Sequence, residues 1–235
     1  MMDFEREHLL LIDDCEDVLT QIERVLFTSR YKFSRRHSEI FRVQSIAMIY
    51  SIWEGFMQQS FGLYIKYIDE LNIDFMKLNE DIIIFHMENT FKQFREYPKN
   101  KNKKNDFINN LYGFYQVSKH PLYPRVDTES NLGFDVMNKL LEQFGLDKFP
   151  EYWDEYTHPK PSLKVMMQNL LRYRNGIAHG GDISNEEIVT QEVFDKYKRL
   201  IIKLMYGVHD KFINAINDET YLKTEYRVLV DDGIE

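Results

Sequence analysis

Residues 38–70 read SEIFRVQSIAMIYSIWEGFMQQSFGLYIKYIDE. This is the longest periodic run in the chain, with apolar or aromatic groups around most of the circumference of a helix. A helix that is apolar on nearly every side must be covered on nearly every side, so the run is expected as the central buried helix of an all-α bundle. Ser34 or Ser38 can cap its start, and Asn72 marks a soft end. Trp53, Phe56, Met57, Phe61 and Tyr64 read as packing, not as a platform for stacking bases. Glu54 is the exception in this apolar helix, and a buried acid needs a partner. Two readings stay open for it: a role orienting Arg174 or His179, or an unrelated ion pair or partial exposure.

Outward from this helix, residues 4–27 form an apolar-periodic helix containing Leu9, Ile12, Leu19, Ile22 and Leu26. Two further helices are expected at 80–96 and 105–118, separated by a basic loop from Pro98 to Asp106. Pro121 and Pro124 bracket an irregular connection over 119–130. A helix at 131–145 is closed by Gly145, and 146–161, with Pro150, Pro159 and Pro161, is a loop. The next helix starts near Ser162, and the last long one runs from Thr190 to Asn217. EYRVLV, residues 225–230, fits a short strand or a helical turn, and the acidic end is expected to fray. The expected organisation is one helical domain over 1–217, with two inserted helices packed on one end, and a partly ordered tail over 218–235.

Composition supports helices and narrows the function. Among 235 residues there are 10 glycines and 6 prolines, too few for a turn-dense β architecture. The aromatic fraction of 14% excludes a disordered chain. A single cysteine, Cys15, rules out an intrachain disulfide and a cysteine-based zinc site, and reads as a small buried hydrophobe. The start lacks the pattern of a secretory signal, and there is no run of about eighteen apolar residues to cross a membrane. A cytoplasmic protein is therefore expected. The net charge of −8 argues against a general nucleic-acid coat. Basic residues are nonetheless gathered in two places: Arg24, Arg30, Lys32, Arg35, Arg36 and Arg42 against the single acid Glu39, and Lys99, Lys101, Lys103 and Lys104. The first reads equally as a salt-bridged helix junction or an RNA-facing surface, the second as a solvated loop or a weak RNA contact.

The chemistry concentrates in residues 170–181, LLRYRNGIAHGG. Met166, Leu170, Tyr173 and Ile177 form one apolar helical face. Arg172, Asn175 and His179 share another. Arg174 lies about 140° from His179, within swing of a long side chain at a helix end that two glycines terminate. Arginine and histidine at this bare spacing are common, and Arg30 with His37 meets a looser version. The adjacent amide, the helical setting and the Gly180–Gly181 stop distinguish this occurrence.

That segment resembles the HEPN superfamily, whose active members carry arginine, a polar residue, three variable residues and histidine. RNGIAHGG (174–181) is similar to the form in a prokaryotic branch linked to toxin–antitoxin and phage-defence loci. FSRRHSEIFRVQSIAMIYSIWEGFMQQSFGLYI (33–65) and SNLGFDVMNKLLEQFGLD (130–147) resemble that branch's early helix and the segment before its motif helix. The resemblance implies a HEPN-like helical bundle with additional helices inserted before the motif helix. It also implies a homodimer with a composite site, and an antitoxin or a regulatory ATPase as protein partner. Some members carry a tyrosine two positions after the histidine, which an antitoxin modifies with nucleotides. Here that position is Gly181, which speaks against that route of inhibition.

Arg174 and His179 suit phosphodiester cleavage. RNA brings its own nucleophile, the 2′-hydroxyl, so the reaction needs proton carriers and positive charge for the transition state, and no cofactor or metal. His179 fits the proton carrier and Arg174 the charge stabiliser. Asn175, Glu54 and Arg172 would support them, while Arg30, Arg35, Arg36, Lys101, Lys103 and Lys104 would hold RNA. His37 with Glu39 and His86 with Glu88 are too sparse for a metal site and read as surface groups. The expected function is a metal-independent endoribonuclease leaving 2′,3′-cyclic phosphate and 5′-hydroxyl ends. The alternatives are a catalytically silent HEPN-like module that binds nucleotide or RNA, and a helical scaffold whose arginine is salt-bridged to Glu54.

Overall fold

In the computed structural model, residues 2–178 and 189–227 are described, Ile177 and Ala178 by backbone alone. They contain seven α-helices: α1 (Phe4–Phe27), α2 (Arg35–Glu70), α3 (Glu80–Thr90), α4 (Lys101–Tyr115), α5 (Phe134–Glu142), α6 (Leu163–Ala178) and α7 (Gln191–Asn217). No β-strand occurs among the described residues. Two isolated bridges, Leu78 with Leu222 and Trp153 with Tyr156, pin loops together.

The long apolar run is the central helix. Ser34 caps α2, its hydroxyl accepting from the His37 amide at 3.3 Å. At the other end Asn72 turns the chain at φ 54°, a conformation that asparagine tolerates better than most side chains. Helices α1, α6 and α7 all pack on α2, α1 also packs on α7, and α5 lies against α6. Trp53, Phe56, Met57, Phe61 and Tyr64 are fully enclosed. Phe61, Tyr64 and Phe212 pack their rings at 4.8–5.2 Å, joining α2 to α7. Enclosing each such side chain stabilises the fold by about 1.5–3 kcal/mol. No helix among the described residues is long and apolar enough to cross a membrane.

Several boundaries differ from expectation for local reasons. The helix expected over 80–96 ends at Thr90, and a 3₁₀ turn follows at Lys92–Phe94. Helix α4 begins at Lys101 instead of 105, because Asn100 caps it by accepting from the Asn102 amide at 2.8 Å. Lys101, Lys103 and Lys104 therefore stand on a first helical turn instead of a loop. Their charges oppose the helix dipole there, a cost of a few tenths of a kcal/mol each that the cap offsets. Helix α5 ends at Glu142 and closes through Gly145 at φ 65°, with the Leu146 amide donating to Leu141 and the Gly145 amide to Glu142.

Residues 218–227 return to the bundle. The Asn79 amide donates to the Tyr221 carbonyl at 2.8 Å, the Lys223 amide donates to Lys77 at 3.0 Å, and Tyr221 is buried. Around EYRVLV the described part is a 3₁₀ turn at Thr224–Tyr226, and residues 228–235 lie outside the described residues.

One connector positions the site. Residues 119–133 run back along α2 and are fastened to it at successive points. The Leu122 amide donates to Asp69 Oδ1 at 2.9 Å, Thr128 donates to Glu54, and the Leu132 amide donates to Tyr50. The inserted helices thus adjoin the end of α2, and the connector returns the chain to Tyr50, 19 residues earlier and about 28 Å away along the axis.

Candidate active site

Helix α6 begins where Ser162 accepts from the Val165 amide at 3.4 Å. Its apolar face forms as the spacing requires: Met166, Leu170 and Tyr173 are buried, and Tyr173 meets Tyr197 of α7 edge-on at 5.8 Å. The next position, Arg174, turns toward α2 instead.

The Arg174 guanidinium carbon lies 5.3 Å from the centroid of the Tyr50 ring. Its Nη1 donates to Asn175 Oδ1 at 2.9 Å. The ring quadrupole attracts the cation without neutralising it, and the neighbouring amide fixes one edge of the fork. Arg174 and Asn175 are both half-buried, and the amide anchors one edge of the guanidinium.

Tyr50 is itself locked. It is 1% exposed, and its hydroxyl accepts from the Leu132 amide at 2.7 Å. Burial pushes the phenol above its usual pKa. The Leu132 hydrogen bond and Arg174 oppose that rise, and the Glu54 carboxylate adds to it. Tyr50 is therefore a neutral ring under the cation. Glu54, one turn further along α2 and half-buried, accepts from the Thr128 hydroxyl at 2.9 Å. Gln58 Nε2 in turn donates to Thr128 at 3.2 Å. Glu54 thus reaches Arg174 through Tyr50 and the connector.

The remaining expected residues are dispersed. Arg172 is exposed on α6. Arg30, Arg35 and Arg36 are exposed at the α1–α2 junction, where Arg35 pairs with Glu39 at 3.0 Å. Lys101 and Lys103 are exposed on α4, and Lys104 lies over the Tyr97 ring at 5.2 Å. His179 and the glycines Gly180 and Gly181 lie outside the described residues, as does the side chain of Ile177. A groove of about 630 Å³ beside Met166 is lined by Glu155, Lys160, Asp195 and Arg199, and Arg174 is not part of its wall.

Two sequence readings need correction or completion. His86 is not a surface group. It is 4% exposed, accepts from the Tyr123 amide at 3.0 Å through Nδ1, and meets Phe75 edge-on. Burial, and secondarily His120, lower its pKa to about 4, so it serves the connector as a neutral acceptor. Cys15 is half-buried against the core, and burial with the Asp14 charge raises its thiol to about 11. Tyr50 and Thr128 escaped the sequence reading. The available signal was Tyr50 standing four residues before Glu54, on the same helical face. Among the described residues no group of three or more histidine, cysteine or carboxylate side chains could hold a metal ion.

The family model of the HEPN_MAE_28990-like HEPN domain matches residues 11–221. The chain belongs to this HEPN family. The match runs from α1 through the inserted helices to the segment that returns after α7, so this HEPN domain includes its insert. No curated protein and no solved structure matches the chain.

Proposed function

We propose that this HEPN protein is a metal-independent endoribonuclease in which Arg174 and His179 are the catalytic residues. The observation that carries the reading is the presentation of Arg174. Among the described residues its guanidinium is held by a neutral ring and an amide and forms no ion pair, so its charge remains for a phosphate. An arginine serving only to tie helices together would be expected to face a carboxylate, as Lys198 faces Glu23 at 2.7 Å.

In the proposed reaction the RNA 2′-oxygen attacks the adjacent phosphorus as its proton passes to a base. The phosphorus–5′-oxygen bond breaks, and an acid protonates the leaving oxygen. Arg174 stabilises the charge gathered on the non-bridging oxygens. His179 supplies an imidazole whose ordinary pKa suits proton transfer near neutrality. One copy of the motif brings one such imidazole, so an isologous dimer that pairs two motifs completes the set of base and acid. Asn175 holds the fork of Arg174, Glu54 and Tyr50 hold its position, and exposed Arg172 contacts the RNA backbone. A role in toxin–antitoxin or phage-defence systems, with an antitoxin or regulatory ATPase as partner, fits an RNA-cleaving enzyme of this family.

Incubating the protein with total RNA in EDTA tests the proposal. Fragments ending in 2′,3′-cyclic phosphate and beginning with 5′-hydroxyl are expected. RNA that is bound but remains intact would make the protein a silent binding module. Cleavage that depends strictly on added magnesium, or that leaves 5′-phosphates, would refute the mechanism.

A further inference from the structure

The inserted segment is one of two basic stretches in an acidic chain. Residues 92–119 carry seven lysines and arginines against two carboxylates, Glu96 and Asp106, in a protein of net charge −8. Several lysines elsewhere are neutralised locally: Lys139 by Glu129, Lys148 by Glu142, Lys164 by Asp135, and Lys203 by Asp154 and Glu155. In the insert, Lys92, Lys99, Lys101, Lys103 and Lys119 have no ion-pair partner among the described residues, while Arg95 makes a 3.9 Å contact with Glu88. Such a concentration of unneutralised like charge is self-repulsive, and an approaching polyanion relieves it.

The same segment exposes aromatic rings. Phe94, Tyr97, Tyr112 and Tyr115 are each half or more exposed, Tyr112 to 68%. Tyr97 forms part of an open groove of about 850 Å³ whose walls also carry Lys92, Lys99 and Lys103, with Glu96 and Asp106. Lysines beside accessible rings satisfy the two demands of a single strand, charge along its backbone and flat surfaces for its unstacked bases. A duplex keeps its bases stacked on each other and has no use for the rings.

We infer that the insert, α4 with the Lys92–Lys99 approach to it, is a second binding surface for single-stranded RNA, separate from the arginine site. It rests on RNA being the substrate class of the proposed activity, yet binding here requires no cleavage. The surface would hold an unpaired stretch of the same strand whose scissile bond lies at Arg174, so paired RNA would be a poor substrate.

The test uses the full chain carrying Arg174→Ala, so that RNA remains intact, and fluorescence anisotropy of a labelled mixed-sequence RNA, either single-stranded or as a duplex. Lys99→Glu with Lys103→Glu should weaken single-strand binding about tenfold or more and flatten its dependence on salt. Tyr97→Ala should weaken the single strand about fivefold, the value of one lost stacking contact, and leave the duplex nearly unchanged. Tyr112→Ala gives a second reading at an exposed position where folding is not at stake. Unchanged affinity in the charge-reversed protein overturns the inference, as does equal loss on single strand and duplex in the tyrosine variants. Charge reversal that turns a dimer into a monomer in sedimentation also overturns it, by making the face a contact between copies. The two readings fail separately: intact binding with absent cleavage by the parent sinks the catalytic reading alone, while cleavage indifferent to the charge reversals sinks this one.

Discussion

Arg174 rests on Tyr50: the guanidinium carbon sits 5.3 Å above a ring whose hydroxyl is fastened to the Leu132 amide at 2.7 Å. The arginine is therefore positioned by an aromatic surface that the connector holds in place. Tyr50→Phe keeps the ring and strands the Leu132 amide. It should cost about 1–3 kcal/mol in urea unfolding, with cleavage reduced less than about threefold. Tyr50→Leu removes the surface itself and should lower kcat about tenfold, with a smaller change in KM. Equal activity in Tyr50→Leu and the parent would show that the ring does not position the arginine.

The connector provides a second handle on the same geometry. Glu54→Gln retains an acceptor for the Thr128 hydroxyl but removes the charge, so the thermal midpoint should hardly move while kcat falls severalfold. Glu54→Ala loses the hydrogen bond as well, leaves the Thr128 hydroxyl proton without its acceptor and should cost about 1 kcal/mol more. A Gln variant as active as the parent would reduce Glu54 to a tether for the connector.

Stability should fall in acid because of a buried histidine pair. His8 of α1 and His209 of α7 approach through their Nδ1 atoms at 2.9 Å, and their rings stack at 5.1 Å. Burial, with His209 adding to it, lowers His8 to about 3, and burial also lowers His209. Each folded-state pKa lies below the unfolded value near 6.5, so the unfolded chain binds more protons in between. The stabilisation is complete above about pH 6.5 and is lost as pH falls toward the folded pKa. One such histidine contributes about 1.4 kcal/mol per pH unit through that window. Urea midpoints should drop steadily from pH 7 to pH 4, and His8→Phe, at a position stacked on Phe4 and edge-on to Phe212, should flatten the drop. A midpoint independent of pH in the parent would contradict this assignment.

Gly207 in α7 marks a close approach. A Cβ there would stand 2.9 Å from Phe149 Cε1 and 3.0 Å from Trp153 Cζ2, both in rings of the loop before α6. Gly207→Ala should destabilise by about 1–3 kcal/mol despite alanine's better helix propensity. A higher thermal midpoint in the alanine variant would show that the loop yields freely.

The bundle was legible because its signals are local. Residues 38–70 show their apolar circumference in one stretch, Ser34 and Thr190 cap α2 and α7, and Gly145 closes α5. Helix α4 began earlier than expected because Asn100 is a strong cap hidden beside lysines that resemble a loop. The motif was legible as residue types at a spacing, and the fixed position of Arg174 was not. Tyr50, Thr128 and the Leu132 amide meet only after the connector doubles back along α2, and no periodicity encodes that contact. His86 was misread for the same reason, since its acceptor role depends on the Tyr123 amide 37 residues away.

A composite site makes a further expectation about assembly. Protein carrying Arg174→Ala mixed with protein carrying His179→Ala should regain part of the parent's cleavage, since the shared site of the mixed dimer holds one Arg174 and one His179, each from a different chain. A sedimenting monomer that cleaves with a rate per molecule independent of concentration would contradict the dimer.

The most direct measurement of the central claim is RNA cleavage by His179→Ala and by Arg174→Ala, each beside its own thermal unfolding curve. Loss of a positioned proton carrier or of the transition-state cation should lower the rate about 10²–10⁴-fold. The midpoint should shift by less than about 4 °C, because Arg174 is half-buried and set off the apolar face of α6. Variants that cleave like the parent would show that the motif is not the active site, and variants that lose activity only because they unfold would make it a structural element of the bundle.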